Sequence, residues 1–352
     1  MRTLTVSGTA LVLGCLALAG CAPTPTEGGP VPPDSDAAAV NGPIPLFSTG
    51  CEDLIELAVV QETLGSVEAG IDPVRIPGGS WSLSHIGLAQ AGALECYWGD
   101  DGAPQDDYAR YLSVVVLPDA AQAWEVQQPE LAAWSKPFAE HGDAAFSNCA
   151  GSANYLYCKY DVLVGTSWLH AEVMNLGTLE DAAPIIRTLT DSVAAADPVE
   201  ATWSPTGALP ARCADWLSAA EINTALGMDG IAEREFPLSM PIILNDGFGD
   251  GLACSWSNPY SSAQAMPIQV VALPDAEWAW EAAWTKPRPE RSPSAPLEGV
   301  GDQAYAGCAT DQDVCFVDVL ADGLWIAVDG NKEAGIEGLQ HIAVAALAKL
   351  AA

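Results

Sequence analysis

Hydrophobic residues in this chain follow two different periods, and these periods predict strands that alternate with helices. Runs rich in β-branched residues predict strands over Tyr111–Leu117 and Pro267–Leu273. Each run leads into Pro-Asp-Ala, which is typical of a helix start with an acidic residue in its first turn. Similar runs predict further strands over 146–149, 155–160, 162–173 and 316–328. Asp322-Gly323 interrupts the last of these runs and is typical of a hairpin turn.

Helical periodicity occurs in four other segments. Short helices are predicted over Glu52–Leu64 and Ala214–Leu226, and a glycine follows each of them. Two longer helices have apolar residues every three or four positions on one face. Those faces carry Ile185, Ile186, Leu189 and Val193 in the first helix, and Ile336, Leu339, Ala343, Ala346, Leu347 and Leu350 in the second. The order of elements predicts an α+β fold in which an antiparallel sheet packs with helices.

This order of elements occurs twice because the sequence is a tandem repeat. Cys51-Glu-Asp53 returns 162 positions later as Cys213-Ala-Asp215. Other matched segments keep their order at offsets of 150 to 162: Leu64-Gly65 with Leu226-Gly227, Cys96-Tyr97-Trp98 with Cys254-Ser255-Trp256, 117–124 with 273–280, 132–137 with 282–287, 142–149 with 301–308, and Cys158 with Cys315. We therefore predict two domains, a first repeat over 46–196 and a second repeat over 203–352.

Eight cysteines divide equally between the two repeats. They are Cys51, Cys96, Cys149 and Cys158 in the first repeat, and Cys213, Cys254, Cys308 and Cys315 in the second. The third and fourth cysteines of each repeat lie close together in sequence, so a local disulfide between them is easy to form. The first and second cysteines then pair over a longer range. An even number of cysteines argues for disulfides if the chain is exported, which its amino terminus predicts.

The amino terminus begins with Arg2 and an apolar run that ends in Leu18-Ala19-Gly20-Cys21. This segment resembles the bacterial lipoprotein signal. The resemblance implies cleavage after residue 20 and attachment of a diacylglycerol to the Cys21 thiol. It therefore predicts a signal peptide over 1–20 and a location on the outer face of the cell membrane. Segment 21–45 is rich in proline and glycine and is predicted to be a disordered linker.

The charge of the chain limits its partners. The 352 residues include 46 Asp and Glu against 13 Lys and Arg, which gives a formal net charge of −33. Such a surface repels phosphate backbones, so we expect the protein not to bind nucleic acid. Anionic lipid headgroups are repelled in the same way, so contact with the membrane is expected through the lipid anchor only.

The repeats resemble small extracellular domains with two disulfides. The resemblance lies in the helix at Cys51 and Cys213, the Cys-x-Trp strand at Cys96 and Cys254, and the late cysteine pair. Domains of this kind occur in actinobacterial lipoproteins and in related receptor-kinase sensor domains. The resemblance implies a fold and a compartment, and it implies no particular activity.

Candidate catalytic and metal-binding residues are few. The histidines His85, His141, His170 and His341 are not matched between the repeats and do not have the spacing of a zinc site or a catalytic triad. Acidic loops at 100–107 and 245–251 contain oxygen ligands suited to Ca²⁺, but they lack EF-hand spacing and are interpreted as solvated turns. The repeated acids Asp143 and Asp302 are interpreted as turn residues. We expect no catalytic residue, no metal and no cofactor.

Tryptophans at matched positions are the remaining candidates. Trp98/Trp256, Trp124/Trp280 and Trp168/Trp325 are predicted to be core residues. Trp134 and Trp284 each precede Ser/Thr-Lys-Pro, which suggests a helix end near the surface, so they are candidate ligand contacts.

The sequence therefore favours a membrane-anchored, non-enzymatic binding or envelope-interaction module. Its partner is expected to be an envelope protein, a glycan or an apolar small molecule. Two alternatives stay open: a carrier that holds an apolar ligand between sheet and helix, and an envelope hydrolase whose site is not visible in the sequence.

Overall fold

The fold is given by a computed structural model of the chain. It describes residues 47–65, 67, 83–99, 110–138, 141–152, 155–174, 179–196, 209–210, 212–233, 251–257, 268–284, 293–309 and 313–350. The predicted signal peptide, Cys21, the predicted linker and most of the two acidic loops lie outside these residues. Within the described part of the chain, no helix has the length and hydrophobicity needed to cross a membrane.

The first repeat contains five helices and six strands among its described residues. In chain order they are α1 (Cys51–Leu54), α2 (Leu57–Leu64), α3 (Leu83–Gln90), β1 (Leu94–Gly99), β2 (Tyr111–Leu117), α4 (Ala121–Trp134), β3 (Lys136–Pro137), β4 (Ala144–Ser152), β5 (Tyr155–Val164), β6 (Ser167–Met174) and α5 (Leu179–Ala195).

The second repeat follows the same order. Its described elements are α6 (Cys213–Trp216), α7 (Ala219–Leu226), β7 (Ala232–Glu233), β8 (Leu252–Ser257), β9 (Ile268–Leu273), α8 (Glu277–Trp284), β10 (Ser294–Pro296), β11 (Gln303–Cys308), β12 (Val314–Ala321), β13 (Leu324–Asn331) and α9 (Gly335–Leu350).

Each repeat forms one antiparallel sheet, and the two sheets have the same topology. The first has the strand order β1-β2-β6-β5-β4-β3, and the second has the order β7-β8-β9-β13-β12-β11-β10, with β7 as an additional edge strand. Both repeats belong to one compact unit, Asn41–Ala352. The predicted α+β class, with antiparallel sheets that pack with helices, is confirmed.

Disulfides join the same elements in both repeats. Cys51–Cys96 and Cys213–Cys254 tie the first helix of each repeat to the first core strand, over sequence separations of 45 and 41. The short-range bridges link neighbouring strands across a hairpin, Cys149–Cys158 and Cys308–Cys315. In both hairpins the two cysteines are direct partners in the strand register. This is the pairing that the sequence predicts.

Both faces of each sheet are covered by helices. On the first face, the closing helix packs with the disulfide-linked helix over a core that contains Ile185 and Leu189 in one repeat and Leu339 and Ile342 in the other. The opposite, second face carries the shorter helix α4 or α8. Because both faces are buried, apolar residues stand on both faces of the central strands, which explains continuous hydrophobic runs such as Val114–Leu117.

Three predicted elements differ from the structure. The helix expected over Glu52–Leu64 is broken, because Ile55 and Glu56 adopt extended conformations and the Ile55 side chain is buried in the core. The helix expected over Ala214–Leu226 is broken in the same way at Leu217 and Ser218, and Leu217 is buried. The strand expected over 162–173 is a hairpin instead. Gly165 has a φ of +60° in its turn, a conformation that glycine adopts without steric strain.

Helix α3 of the first repeat lies between the two sheets. Leu88 packs into the cluster on the second face of the first sheet, whereas Ile86 packs with Trp325 and its neighbours on the second face of the second sheet. The side-chain amide of Gln90 donates a hydrogen bond to the carbonyl of Pro274, at 2.6 Å. Helix α3 therefore joins the two repeats through apolar packing and a buried hydrogen bond.

Candidate functional site

The second face of the first sheet carries a row of polar side chains that the sequence analysis did not identify. Glu95, Val115, His170 and Asp161 are consecutive partners across strands β1, β2, β6 and β5. Side chains of consecutive partners point to the same face of a sheet. The row therefore places the imidazole of His170 next to Asp161, and Glu95 lies on the same face beyond Val115.

His170 is held between two carboxylates. Its Nδ1 atom lies 2.8 Å from Oδ1 of Asp161, and its Nε2 atom lies 3.4 Å from Oε1 of Glu172. Lys159 approaches the same carboxylate of Glu172 at 2.8 Å. Burial opposes the charged imidazolium, but Asp161 and then Glu172 outweigh it and raise the pKa of His170 to about 10. Burial also opposes the charged form of Glu172, yet His170 holds the pKa of this carboxyl well below its ordinary value.

This arrangement suits a structural ion pair better than a catalytic group. Both ring nitrogens of the imidazolium carry a proton and donate to carboxylates. The ring therefore has no nitrogen lone pair with which to accept a proton from a substrate. The indole N–H of Trp168 also donates to Asp161, at 3.0 Å, and the second repeat has the same bond from Trp325 to Asp318. The bond from Asp161 to a core tryptophan is therefore common to both repeats, and the pair with His170 is an addition in the first repeat.

Of the two repeats, only the first has the polar row. The positions of Glu95 and His170 are taken in the second repeat by Ala253 and Ala327, which face Ile86 of α3. Small side chains at these positions leave room for the helix from the other repeat. The two repeats have therefore diverged on the second face, whereas their first faces have the same plan.

The other histidines do not form a site among the described residues. His85 bonds to Glu95 and fixes α3 to β1. The ring of His141 stacks on Phe138, with ring centroids 4.1 Å apart, and His341 is exposed on α9. No group of three or more His, Cys, Asp or Glu in the described ranges is placed to hold a metal ion.

The repeated Gly-Asp sequence before β4 and β11 forms a turn. Oδ2 of Asp143 accepts a hydrogen bond from the backbone N–H of Gly165, at 2.7 Å. Gly142 has a φ of +58°, and a Cβ there would lie 2.3 Å from the carbonyl oxygen of Leu163. The second repeat has the same arrangement at Gly301, Asp302 and Asp322.

A cleft of about 550 Å³ lies beside the turn at Gly142 and Asp143, with Phe47, Asp119 and Asp191 in its walls.

Most tryptophans lie in the core. Trp98 and Trp256 are fully buried on the first faces, where the disulfides lie. Trp124 packs edge-on against Trp168, with ring centroids 5.4 Å apart, and Trp280 packs in the same way against Trp325, at 5.1 Å. These pairs are structural.

Trp134 and Trp284, the two candidate ligand contacts, occupy different environments. Both are the last residue of their helix, but α4 has 14 residues and α8 has 8. Trp284 stacks on Tyr305 and also contacts Trp280. Trp134 is 74% exposed, which is the largest exposed fraction of any large hydrophobic residue in the described part of the chain. The longer helix carries Trp134 away from the position that Trp284 occupies.

Further exposed apolar residues line the same helix. We call Val126, Pro129, Ala133 and Trp134 the α4 ridge, since all four are exposed and recur at helical spacing. Val126 is 59% exposed. The sequence contains the signal for this ridge, because the offset between the repeats falls from 156 to 150 within this helix. That change marks six additional residues in the first repeat.

Comparisons with known proteins leave the assignment open. No family model matches the chain, and no curated protein matches it. Among solved structures, the complex of Pseudomonas aeruginosa MucA/MucB aligns with 72% of this chain and 82% of that chain at 13% sequence identity. The TM-score of this alignment is 0.17, so it carries no argument about fold or function. The resemblance to actinobacterial lipoproteins stays a prediction.

Proposed function

We propose that this protein is a lipid-tethered, extracellular interaction module that works without catalysis and contacts its partner through the α4 ridge. Support for the tether comes from the sequence Leu18-Ala19-Gly20-Cys21. The four disulfides support an oxidising compartment, because structural disulfides are rare in the cytosol. The internal pairing of His170 supports a non-catalytic role for the polar row.

The exposure of Trp134 is the observation that carries the proposal. A tryptophan is a large apolar surface that folding normally covers, as it does for Trp284. Exposed apolar patches of several residues mark interaction sites, and tryptophan is among the residues that contribute most to binding at such sites. The α4 ridge combines Trp134 with three more apolar side chains on one side of a helix.

The shape of the ridge favours a protein partner over a small molecule. Small ligands are bound in concave sites that enclose most of their surface. A ridge on a helix is convex, so the partner must supply the concave surface. We therefore propose an envelope protein as the partner, in preference to a glycan or an apolar small molecule.

Cell fractionation tests the proposed tether. The full chain and its Cys21→Ser variant are expressed, and membranes are separated from culture medium. The wild-type protein is expected in the membrane fraction with an acylated amino-terminal peptide in mass spectrometry. C21S is expected to lose the acyl group. An acylated peptide in C21S, or an unmodified Cys21 in the wild type, would overturn the tether.

Binding to isolated cell envelopes tests the ridge. Replacement of an anchor tryptophan commonly costs 2 kcal/mol or more, so Trp134→Ala is expected to weaken binding by about 30-fold. Val344→Ala is the matched control, because Val344 is also exposed but lies on α9. Protease treatment of the envelopes is expected to abolish binding. Equal binding by W134A and the wild type, or binding that survives protease treatment, would contradict the proposal.

A further inference from the structure

We infer that the partner of the α4 ridge is a protein with an apolar groove rimmed by Arg or Lys side chains, which receives α4 as a helix in a groove. This inference rests on the proposed function and names the partner's chemistry. Val126, Pro129, Ala133 and Trp134 stand at positions i, i+3, i+7 and i+8 of one helix. The steps of three and four residues from Val126 to Pro129 and from Pro129 to Ala133 are those by which a helix presents apolar side chains to a groove.

The groups that flank the ridge are hydrogen-bond acceptors. Glu125 and Glu130 lie on α4 beside the apolar residues, and Glu125 is exposed. Pro129 lies inside the helix and has no N–H, so the carbonyl of Glu125 lacks the donor that a helix normally provides four residues later. Lys136 follows the end of the helix and supplies one positive charge. A partner that covers this surface must therefore bring donors, and cationic donors match the two carboxylates.

The charge of the whole chain disfavours a second copy of this protein as the partner of the α4 ridge. At −33, two copies have a net repulsion, and in a symmetric pairing through this ridge the flanking carboxylates would face carboxylates. A cationic groove is attracted instead, and this attraction raises the association rate and depends on salt. The same charge opposes docking of the ridge onto an anionic lipid surface.

Photo-crosslinking of the full chain in its cells tests the partner's chemistry. The probe is p-benzoylphenylalanine, placed at Ala133 on the ridge or at Val344 as the control. Adducts are counted only if they depend on position 133 and are lost when Trp134→Ala is added. The inference expects a protein adduct whose crosslinked surface is rich in Arg and Lys. Its yield, measured on permeable envelopes, is expected to fall several-fold between about 50 and about 500 mM NaCl, as the Debye length shortens.

Charge variants separate this inference from the proposed function. Glu125→Gln with Glu130→Gln is expected to reduce adduct formation several-fold, whereas Glu281→Gln on α8, the matched helix of the second repeat, is expected to leave it unchanged. A Trp134-dependent adduct that is insensitive to salt and to the two carboxylates would overturn the cationic groove and leave the proposed function standing. The absence of any Trp134-dependent adduct, or an adduct with lipid, would overturn both.

Discussion

The ring of Trp284 lies nearly parallel to the ring of Tyr305, with centroids 4.2 Å apart and planes inclined by 12°. Phe146 takes the place of Tyr305 in the first repeat, where it contacts Trp124. The tryptophan matched with Trp284 is Trp134, which is exposed at the end of a longer helix. One repeat therefore uses this tryptophan to close its second face, and the other presents it to solvent.

The first prediction concerns the stability of the two tryptophan variants. Trp284→Ala is expected to lower the free energy of unfolding by about 2–3 kcal/mol, because it removes a stacked and partly buried ring. Trp134→Ala is expected to change it by less than about 0.5 kcal/mol, because its ring is mostly in water already. Denaturant unfolding of the oxidised protein measures both. A loss for W134A as large as that for W284A would show that Trp134 supports the fold.

A second prediction is a pH dependence from His170. Its pKa is raised from 6.5 to about 10, so its stabilisation is complete below pH 6.5 and is lost as the pH rises towards 10. The pKa of Glu172 is lowered from 4.5, so its stabilisation is complete above pH 4.5 and is lost as the pH falls below that value. His170→Gln is therefore expected to destabilise the protein most between about pH 4.5 and 6.5, and less on either side.

Thermal unfolding across the pH range measures this difference. His341→Gln is the matched control, because His341 is exposed on α9. A stability difference between the wild type and H170Q that stays constant from pH 4 to about 10 would argue against an ion pair at His170.

The third prediction concerns helix α3. Ile86 is fully buried against the second sheet, and Leu88 is buried against the first. Each alanine variant is expected to cost about 2–4 kcal/mol. Native-state hydrogen exchange separates their effects: Ile86→Ala is expected to speed exchange in β13, and Leu88→Ala in β2. Faster exchange in β2 alone for I86A would show that Ile86 does not join the repeats.

Removal of the disulfides provides a fourth prediction. The loop-entropy model assigns about 4 kcal/mol to a bridge that closes 45 residues, as Cys51–Cys96 does, and about 2.6 kcal/mol to one that closes 9, as Cys149–Cys158 does. The double variant C51A/C96A is therefore expected to unfold at a lower denaturant concentration than C149A/C158A. The reverse order would show that native packing, rather than loop closure, sets the contribution of each bridge.

Much of the fold follows from sequence because its signals are local. The β-branched runs at Tyr111–Leu117 and 268–273 are strands, and the register places the late cysteines of each repeat side by side. Helix α3 gave no such signal. It contains Gly87, which weakens helix propensity, and its apolar residues Ile86 and Leu88 point to different sheets. A helix buried on two sides shows no single apolar face.

The candidate site divides in the same way. Matching of the repeats identified Trp134 and Trp284 as a pair, but their environments differ because α4 has 14 residues and α8 has 8. The polar row was not predicted, since strand register brings its members together: Asp161 and His170 pair across a hairpin, and Glu95 comes from a strand that is distant in sequence. The available sequence signal was the alternation along β6, which places the polar residues His170 and Glu172 on the same face of the strand.

The sequence by itself determined the duplication, the class of fold and the cysteine pairs, because repeats, periodicity and the matched spacing of the cysteines are properties of the chain alone. Only the tertiary structure decided that α3 of the first repeat fills the second face of the second, and that Trp134 stays in solvent while Trp284 is covered. Periodicity specifies which side of an element is apolar. It does not specify which neighbour covers that side, since the free energy of burial depends on the area removed from water and not on the position of the partner in the chain.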